Sequence, residues 1–139
     1  MNRKVTQPRY NMDWMLRDLM KSVPQTRHVV LLSSDGLCMA RLGADEETAD
    51  RLAAACAGLQ SLAGAIAAEL PEGDGRMRLV AIEVGGGFFY LMAAGVGAYL
   101  AVLAEAGVDA GLMGQCMRSL VARLGEHLSS PPRVDGRTA

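Results

Sequence analysis

Apolar positions recur along the chain with two different periods, and the changes of period predict three helices and five strands. A helical period runs from Asn11, a suitable N-cap, to about Val23, and it returns over 44–70 and over 108–128, where Asp109 is the expected cap. Short runs of apolar and β-branched residues predict strands at 28–32, 37–42, 76–84, 87–93 and 98–104. The predicted element order is therefore α-β-β-α-β-β-β-α.

The connections between the predicted strands are short and rich in glycine. Ser33–Gly36 separates the first two strands, and Gly85–Gly87 and Gly95–Gly97 separate the last three. Connections this short favour antiparallel hairpins. Because the run Phe88–Met92 is apolar on both sides, the sheet should be covered on both faces. We expect an α+β fold in which one five-stranded antiparallel sheet carries helices on both faces.

The two ends of the chain are polar, and they set the predicted limits of the domain. A length of 139 residues suits one domain. Residues 1–10 and 129–139 lack an apolar run and are predicted to be flexible tails around a domain at 11–128. The start does not resemble a secretory signal, and three cysteines without metal-ligand spacing fit a reduced compartment, so a cytoplasmic protein is expected.

Charge and composition argue against nucleic acid and membrane partners. The net charge is -1 and only 4% of residues are aromatic, so neither a basic patch nor a base-stacking surface is expected. The 21 uncharged residues of Val84–Ala104 are long enough to span a bilayer, but two glycine-rich turns interrupt them. No membrane insertion is therefore expected.

Few residues carry the patterns of catalysis or metal binding. His28 and His127 have no neighbouring Ser, Cys or carboxylate pattern of a triad, and Gly85–Gly87 lacks the spacing of a nucleotide-binding loop. Cys38, Cys56 and Cys116 are expected to be small apolar residues. The prediction is a protein without enzymatic activity, cofactor or metal.

The helix predicted over 44–70 has no charged residue between Arg51 and Glu69, which gives 17 neutral positions. A surface helix normally carries charges on its outer side, so something other than water should cover this one, and we favour a second copy of the chain. On a helical wheel its residues fall into three arcs. The bulky arc, expected to sit on the sheet, comprises Leu52, Ala55, Leu59, Leu62, Ile66 and Leu70.

The other two arcs consist of small side chains. The small arc, assigned to the contact with the second copy, comprises Ala54, Gly58, Ser61, Ala65 and Ala68. The third arc, also nearly uncharged, comprises Ala53, Cys56, Gln60, Ala63, Gly64 and Ala67. The strand over 76–84 should form a sheet edge, and pairing with its twin through Arg76, Arg78 and Val80 would cover that edge.

Several of these segments resemble the dynein light chain roadblock family. The resemblance lies in the hairpin Val29–Leu37, the helix segment Ala57–Ala63, the turn Gly85–Phe89 and the element order. It covers about residues 11–128. Asp13–Leu16 and Gly125–Leu128 are similar to the actinobacterial branch, which is encoded beside a sensor-kinase-like protein and a small Ras-like GTPase.

The resemblance implies a homodimer whose long helices pair, whose sheets join and whose helix-covered face binds a small Ras-like GTPase. In a related bacterial polarity regulator, a dimer of this fold stimulates GTP hydrolysis without donating an arginine finger. The third arc is then the expected GTPase surface, although spacing alone leaves open which arc meets which partner. Arg51 is expected to be a surface charge rather than a finger.

Two functions are kept open at this point. The first is a non-catalytic homodimeric adaptor that regulates a small Ras-like GTPase in bacterial signalling. The alternative is a structural scaffold subunit that links a sensor-kinase-like protein to downstream factors without affecting nucleotide turnover.

Overall fold

Three helices and five strands follow one another in the predicted order α-β-β-α-β-β-β-α. The computed structural model describes residues 3–95 and 97–129, and the side chains of 12–95 and 97–126. The elements are α1 (Arg3–Ser22), β1 (Thr26–Ser33), β2 (Cys38–Leu42), α2 (Glu46–Ala67), β3 (Leu79–Val84), β4 (Gly87–Ala93), β5 (Ala98–Glu105) and α3 (Ala110–Ser129). The predicted fold class is confirmed.

The first helix starts earlier than the sequence pattern predicted. α1 begins at Arg3, so the predicted N-cap Asn11 lies inside the helix and residues 3–10 are helical. Residues 1–10 carry no apolar run, so apolar periodicity does not detect this part of the helix. At the other end α3 includes Ser129. The predicted tail at 130–139 lies outside the described residues.

All five strands form one antiparallel sheet in the order β2-β1-β5-β4-β3. The predicted hairpins β1–β2, β3–β4 and β4–β5 are present, and β1 pairs with β5 to bring the two groups of strands together. β3 pairs only with β4, so it forms a sheet edge as predicted.

Helices cover both faces of the sheet, as expected from the two-sided apolar strands. α1 and α3 share a core with the face that carries Val29, Leu31 and Leu100. α2 packs on the opposite face, which carries Val30, Leu32 and Leu91. The methionine and leucine stripes of α1 and α3 are therefore core residues. Asp109 caps α3, because its Oδ1 accepts a hydrogen bond from the Leu112 backbone N–H at 3.1 Å.

The neutral stretch Val84–Ala104 is built into the sheet. It runs from the last residue of β3 through β4 and most of β5. Among the residues that the structure describes, no helix has both the length and the apolar character needed to cross a bilayer.

Candidate protein interaction surface

The contact of α2 with the sheet is made by its smallest side chains. Asp45 caps the helix by accepting a hydrogen bond from the Thr48 backbone N–H at 2.8 Å, and this bond holds the pKa of the carboxyl below its usual range. Ala49, Ala53 and Cys56 then face the sheet and are 0 to 1% exposed. Because the sheet side of this core is filled by large side chains, small ones on the helix let the two elements approach closely.

The bulky arc of α2 faces outward, which contradicts the prediction that it sits on the sheet. Leu62, Ile66 and Leu70 are 67%, 72% and 67% exposed. Leu52 and Leu59 are half-buried, at the side of the core. The 22 helical residues of α2 span about 33 Å, more than a strand of eight residues at about 27 Å. The last turns of α2 therefore extend past what the sheet can cover.

The third arc, predicted as the GTPase surface, is largely the seat of α2 on the sheet. The prediction is wrong for Ala53 and Cys56, which are buried and cannot contact another protein. The other four members, Gln60, Ala63, Gly64 and Ala67, are half-buried.

Gln60 holds α2 in place over the sheet. Its Nε2 donates a hydrogen bond to the Ser34 carbonyl at 3.2 Å, and its Oε1 accepts one from the Tyr99 hydroxyl at 2.8 Å. Both side-chain ends are thus bonded within the chain, so Gln60 fixes the helix rather than standing free for a partner.

The small arc lies on the side of α2 opposite the sheet. All five of its members are exposed. A Cβ at Gly58 would meet no atom within 4 Å. The chain itself therefore does not require a glycine at this position, and the surface is open to close approach by another backbone.

β3 extends the apolar surface beyond α2. Its Ile82 pairs with Phe89, and Val84 with Gly87, so both lie on the α2 face of the sheet, where they are 36% and 45% exposed. α2 packs against β1 and β2, which leaves the α2 face of β3 without a helix. Of the residues predicted for the edge contact, Arg76 and Arg78 are exposed and Val80 is half-buried.

A cavity of about 390 Å³ connects α2 to the segment before β3. Its lining includes Gln60 and Gly64 of α2, Arg76 and Met77 before β3, and Tyr99 of β5. The second half of α2 and the segment before β3 are therefore neighbours. We call the set Leu62, Ile66, Leu70, Ile82 and Val84 the α2–β3 surface.

Three residues that the sequence analysis weighed for chemistry have ordinary structural surroundings. Arg51 pairs with Glu47 at 3.2 Å, as a surface charge would. His28 Nδ1 lies 3.0 Å from the Gly43 carbonyl. Burial raises the pKa of the Cys56 thiol to about 11, which makes it a poor nucleophile. Within the described residues, no group of His, Cys, Asp or Glu side chains has the arrangement of a metal site.

Trp14 is the largest exposed aromatic side chain of α1. It is 57% exposed, and the guanidinium carbon of Arg123 lies 5.9 Å from the centre of its ring. Arg123 also pairs with Asp18 at 3.1 Å. These contacts join α1 to α3 and leave the outer part of the ring in solvent.

Comparison with known proteins identifies the kind of domain that carries this surface. The family model of the Roadblock/LC7 domain matches residues 12–104. The crystal structure of a Roadblock/LC7 domain from Streptomyces avermitilis is 38% identical, with a TM-score of 0.78, and the match covers 85% of this chain and 98% of that one. No curated protein sequence gives a significant match.

More distant structures share the fold. The gliding protein MglB from Thermus thermophilus is 19% identical with a TM-score of 0.79, covering 87% of this chain and 90% of that one. MglB from Myxococcus xanthus is 17% identical with a TM-score of 0.76, covering 98% of both chains. At these identities the likeness concerns the fold alone.

Proposed function

The chain belongs to the Roadblock/LC7 domain family, and from this premise we propose that it is a non-catalytic, homodimeric regulator of a small Ras-like GTPase in the bacterial cytoplasm. The observation that carries the proposal is the exposed, uncharged second half of α2 beside the open edge of β3. Such a surface fits the two protein contacts that a homodimeric GTPase adaptor needs.

The homodimer is the first part of the proposal. Leu62 and Ile66 on α2, together with Leu70 just after the helix, expose a large apolar area, which a single chain leaves in contact with water. β3 offers unpaired backbone groups on its outer side. A second copy whose β3 pairs with this β3, and which contacts the bulky arc, would cover both the apolar area and the open strand edge. Arg76, Arg78 and Val80 would lie where the two sheets join.

The GTPase surface is the second part, and the burial of Ala53 and Cys56 under α2's contact with the sheet favours the small arc for this role. If two sheets join at β3, both α2 helices lie on the same side of the joined sheet. The bulky arc, on the flank of each helix, then contacts the twin. The small arc around Gly58 and Ser61 points away from the sheet and stays accessible to the GTPase.

Light scattering after size exclusion tests the homodimer. The native chain should have about twice the monomer mass, and Ile66→Glu should shift it to the monomer because each protomer would bury an unpaired charge. Trp14→Glu is the matched control, since it places the same charge on an exposed helical residue of α1. A native monomer at micromolar concentration, or a dimer that Ile66→Glu leaves intact, would contradict this part.

Binding to a small Ras-like GTPase from the same organism tests the second part. The GTPase is loaded with GDP or with a GTP analogue, and the native protein should bind it in at least one of these two nucleotide states. Ser61→Glu should keep the dimer mass and lose this binding, because Ser61 lies on the accessible small arc. Absence of binding in both states would remove the partner from the proposal.

Multiple-turnover GTP hydrolysis separates regulation from scaffolding. A changed turnover in the presence of the native protein, absent with Ser61→Glu, is the result expected for a regulator. Binding without any change in turnover would favour the scaffold alternative.

A further inference from the structure

A second groove opens on the face of the sheet opposite α2. It has a volume of about 400 Å³ and lies between α3 and the start of β3. Its lining residues are Arg78, Leu79, Met92, Ala93, Arg118 and Val121. Leu79 pairs with Met92 in the sheet and is 41% exposed, so apolar surface at the groove is open to solvent.

The groove is lined by two arginines, and acidic side chains of the described residues pair with only one of them. Arg118 is exposed and makes no ion pair with the described side chains, and its Nη1 lies over Gly114, within 3.3 Å of where a Cβ would stand. Arg78 is paired with Asp74 at 2.5 Å, but its side chain is 77% exposed. The lining itself includes no acidic residue among the described side chains.

We propose that this groove docks a peptide segment of another protein that carries acidic side chains next to an apolar one. A guanidinium pairs with a carboxylate through two parallel hydrogen bonds, and such charge-assisted bonds are stronger than neutral ones. An apolar side chain of the segment would cover Leu79 and Val121 while an acidic neighbour meets Arg118, the guanidinium that no described side chain neutralises. This site is independent of the GTPase surface, because it lies on the other face of the sheet.

Other occupants fit the groove less well. Recruitment to an anionic membrane typically takes clusters of about four to eight basic residues, whereas two arginines line this groove. The chain's own terminal segments carry an excess of basic residues, Arg3, Lys4 and Arg9 at the start and Arg133 and Arg137 at the end. They would be repelled by the same guanidiniums that attract an acidic partner.

Selection of a phage-displayed random peptide library on the native protein tests the proposal. The selected peptides are synthesised, and their affinities are measured by fluorescence anisotropy against the native protein, Arg118→Glu and Arg17→Glu. Arg17 is the matched control, because it is an exposed arginine of α1 that does not line the groove. We expect one class of peptides rich in Asp, Glu and Leu. These peptides should bind the Arg118→Glu variant at least about tenfold more weakly than the native protein, which is a loss of about 1.4 kcal/mol in binding free energy.

The controls determine what would overturn the proposal. The acidic class should bind Arg17→Glu and Ser61→Glu within about twofold of the native protein, and replacing its Leu by Ser should weaken binding. The proposal fails if the Arg118→Glu change weakens the binding of no class of selected peptides, or if the peptides whose binding it weakens are not acidic. It also fails if the acidic peptides bind the monomeric Ile66→Glu variant but not the native protein, since a twin would then occupy the groove. Arg118-dependent binding of phosphatidylserine vesicles without such a class would replace the peptide by a membrane.

Discussion

Gly43 follows β2 in a backbone conformation that other residues rarely adopt. Its φ is 84°, and a Cβ at this position would overlap the carbonyl oxygen of Arg27. Gly43→Ala should therefore lower the free energy of unfolding by about 2–4 kcal/mol, from left-handed backbone strain and the displaced strand. Urea unfolding at a fixed protein concentration measures it.

Gly86 provides the matched comparison for this prediction. Its φ is 94°, but a Cβ there would meet no atom within 4 Å. Gly86→Ala should cost only the backbone strain, about 1–2 kcal/mol. Equal costs at the two positions would show that the contact with Arg27 does not matter.

Cys56 carries a second prediction at the scale of one residue. Burial raises the pKa of its thiol from 9.0 to about 11, so at pH 8 its thiolate fraction is about a hundredfold smaller than that of the unfolded chain. Alkylation by iodoacetamide, followed by peptide mass spectrometry, should be at least about a hundredfold slower in the native protein than in guanidinium. Modification of Cys56 at similar rates in both conditions would contradict its burial between α2 and the sheet.

At the scale of elements, α2 separates what the sequence could predict from what it could not. Its presence, its approximate extent and its neutral surface follow from local residues, since the sequence predicts a helix over 44–70 and α2 spans Glu46–Ala67. The side of α2 that faces the sheet does not follow from local residues, because a helical wheel shows where apolar side chains lie around the helix but contains no information about the side chains of the sheet. There, the large side chains of Val30 and Leu91 face Ala53 and Cys56, so size matching placed the smaller residues inside. The GTPase assignment of these two residues failed for the same reason.

Gly58 gives the prediction that belongs to α2 as a helix. Glycine within a helix costs about 0.5–1 kcal/mol relative to alanine, and at Gly58 the added Cβ would meet nothing within 4 Å. Gly58→Ala should therefore stabilise the chain by that amount in urea unfolding, measured in the Ile66→Glu background to remove the contribution of a dimer. A loss of stability would mean that α2 packs more closely to the chain at Gly58 than the structure shows.

At the scale of the whole molecule, the order of strands in the sheet was the hardest feature to predict from the sequence. The sheet edge at β3 is the feature that bears most on the proposed interactions. Short turns predicted the hairpins, but the pairing of β1 with β5 is a long-range contact that no local pattern specifies. That pairing puts β3 at the edge, with Ile82 and Val84 exposed on the α2 face of the sheet and the arginine-lined groove on the opposite face. The proposed contacts with a twin and a GTPase and the proposed acidic segment therefore involve different faces of the sheet.

Hydrogen exchange along β3 tests how this edge is used in the assembled protein. In an antiparallel pair only every second residue bonds to a given neighbour, so β3 paired with β4 alone leaves alternate amides of 79–84 facing outward. If a twin pairs with this edge, those amides should exchange at least about tenfold more slowly in the native protein than in Ile66→Glu. Peptides from β5, which has a strand on both sides, are the internal control and should exchange similarly in both. Equal exchange of β3 in the two proteins would mean that the twin, if present, contacts α2 without joining the sheets.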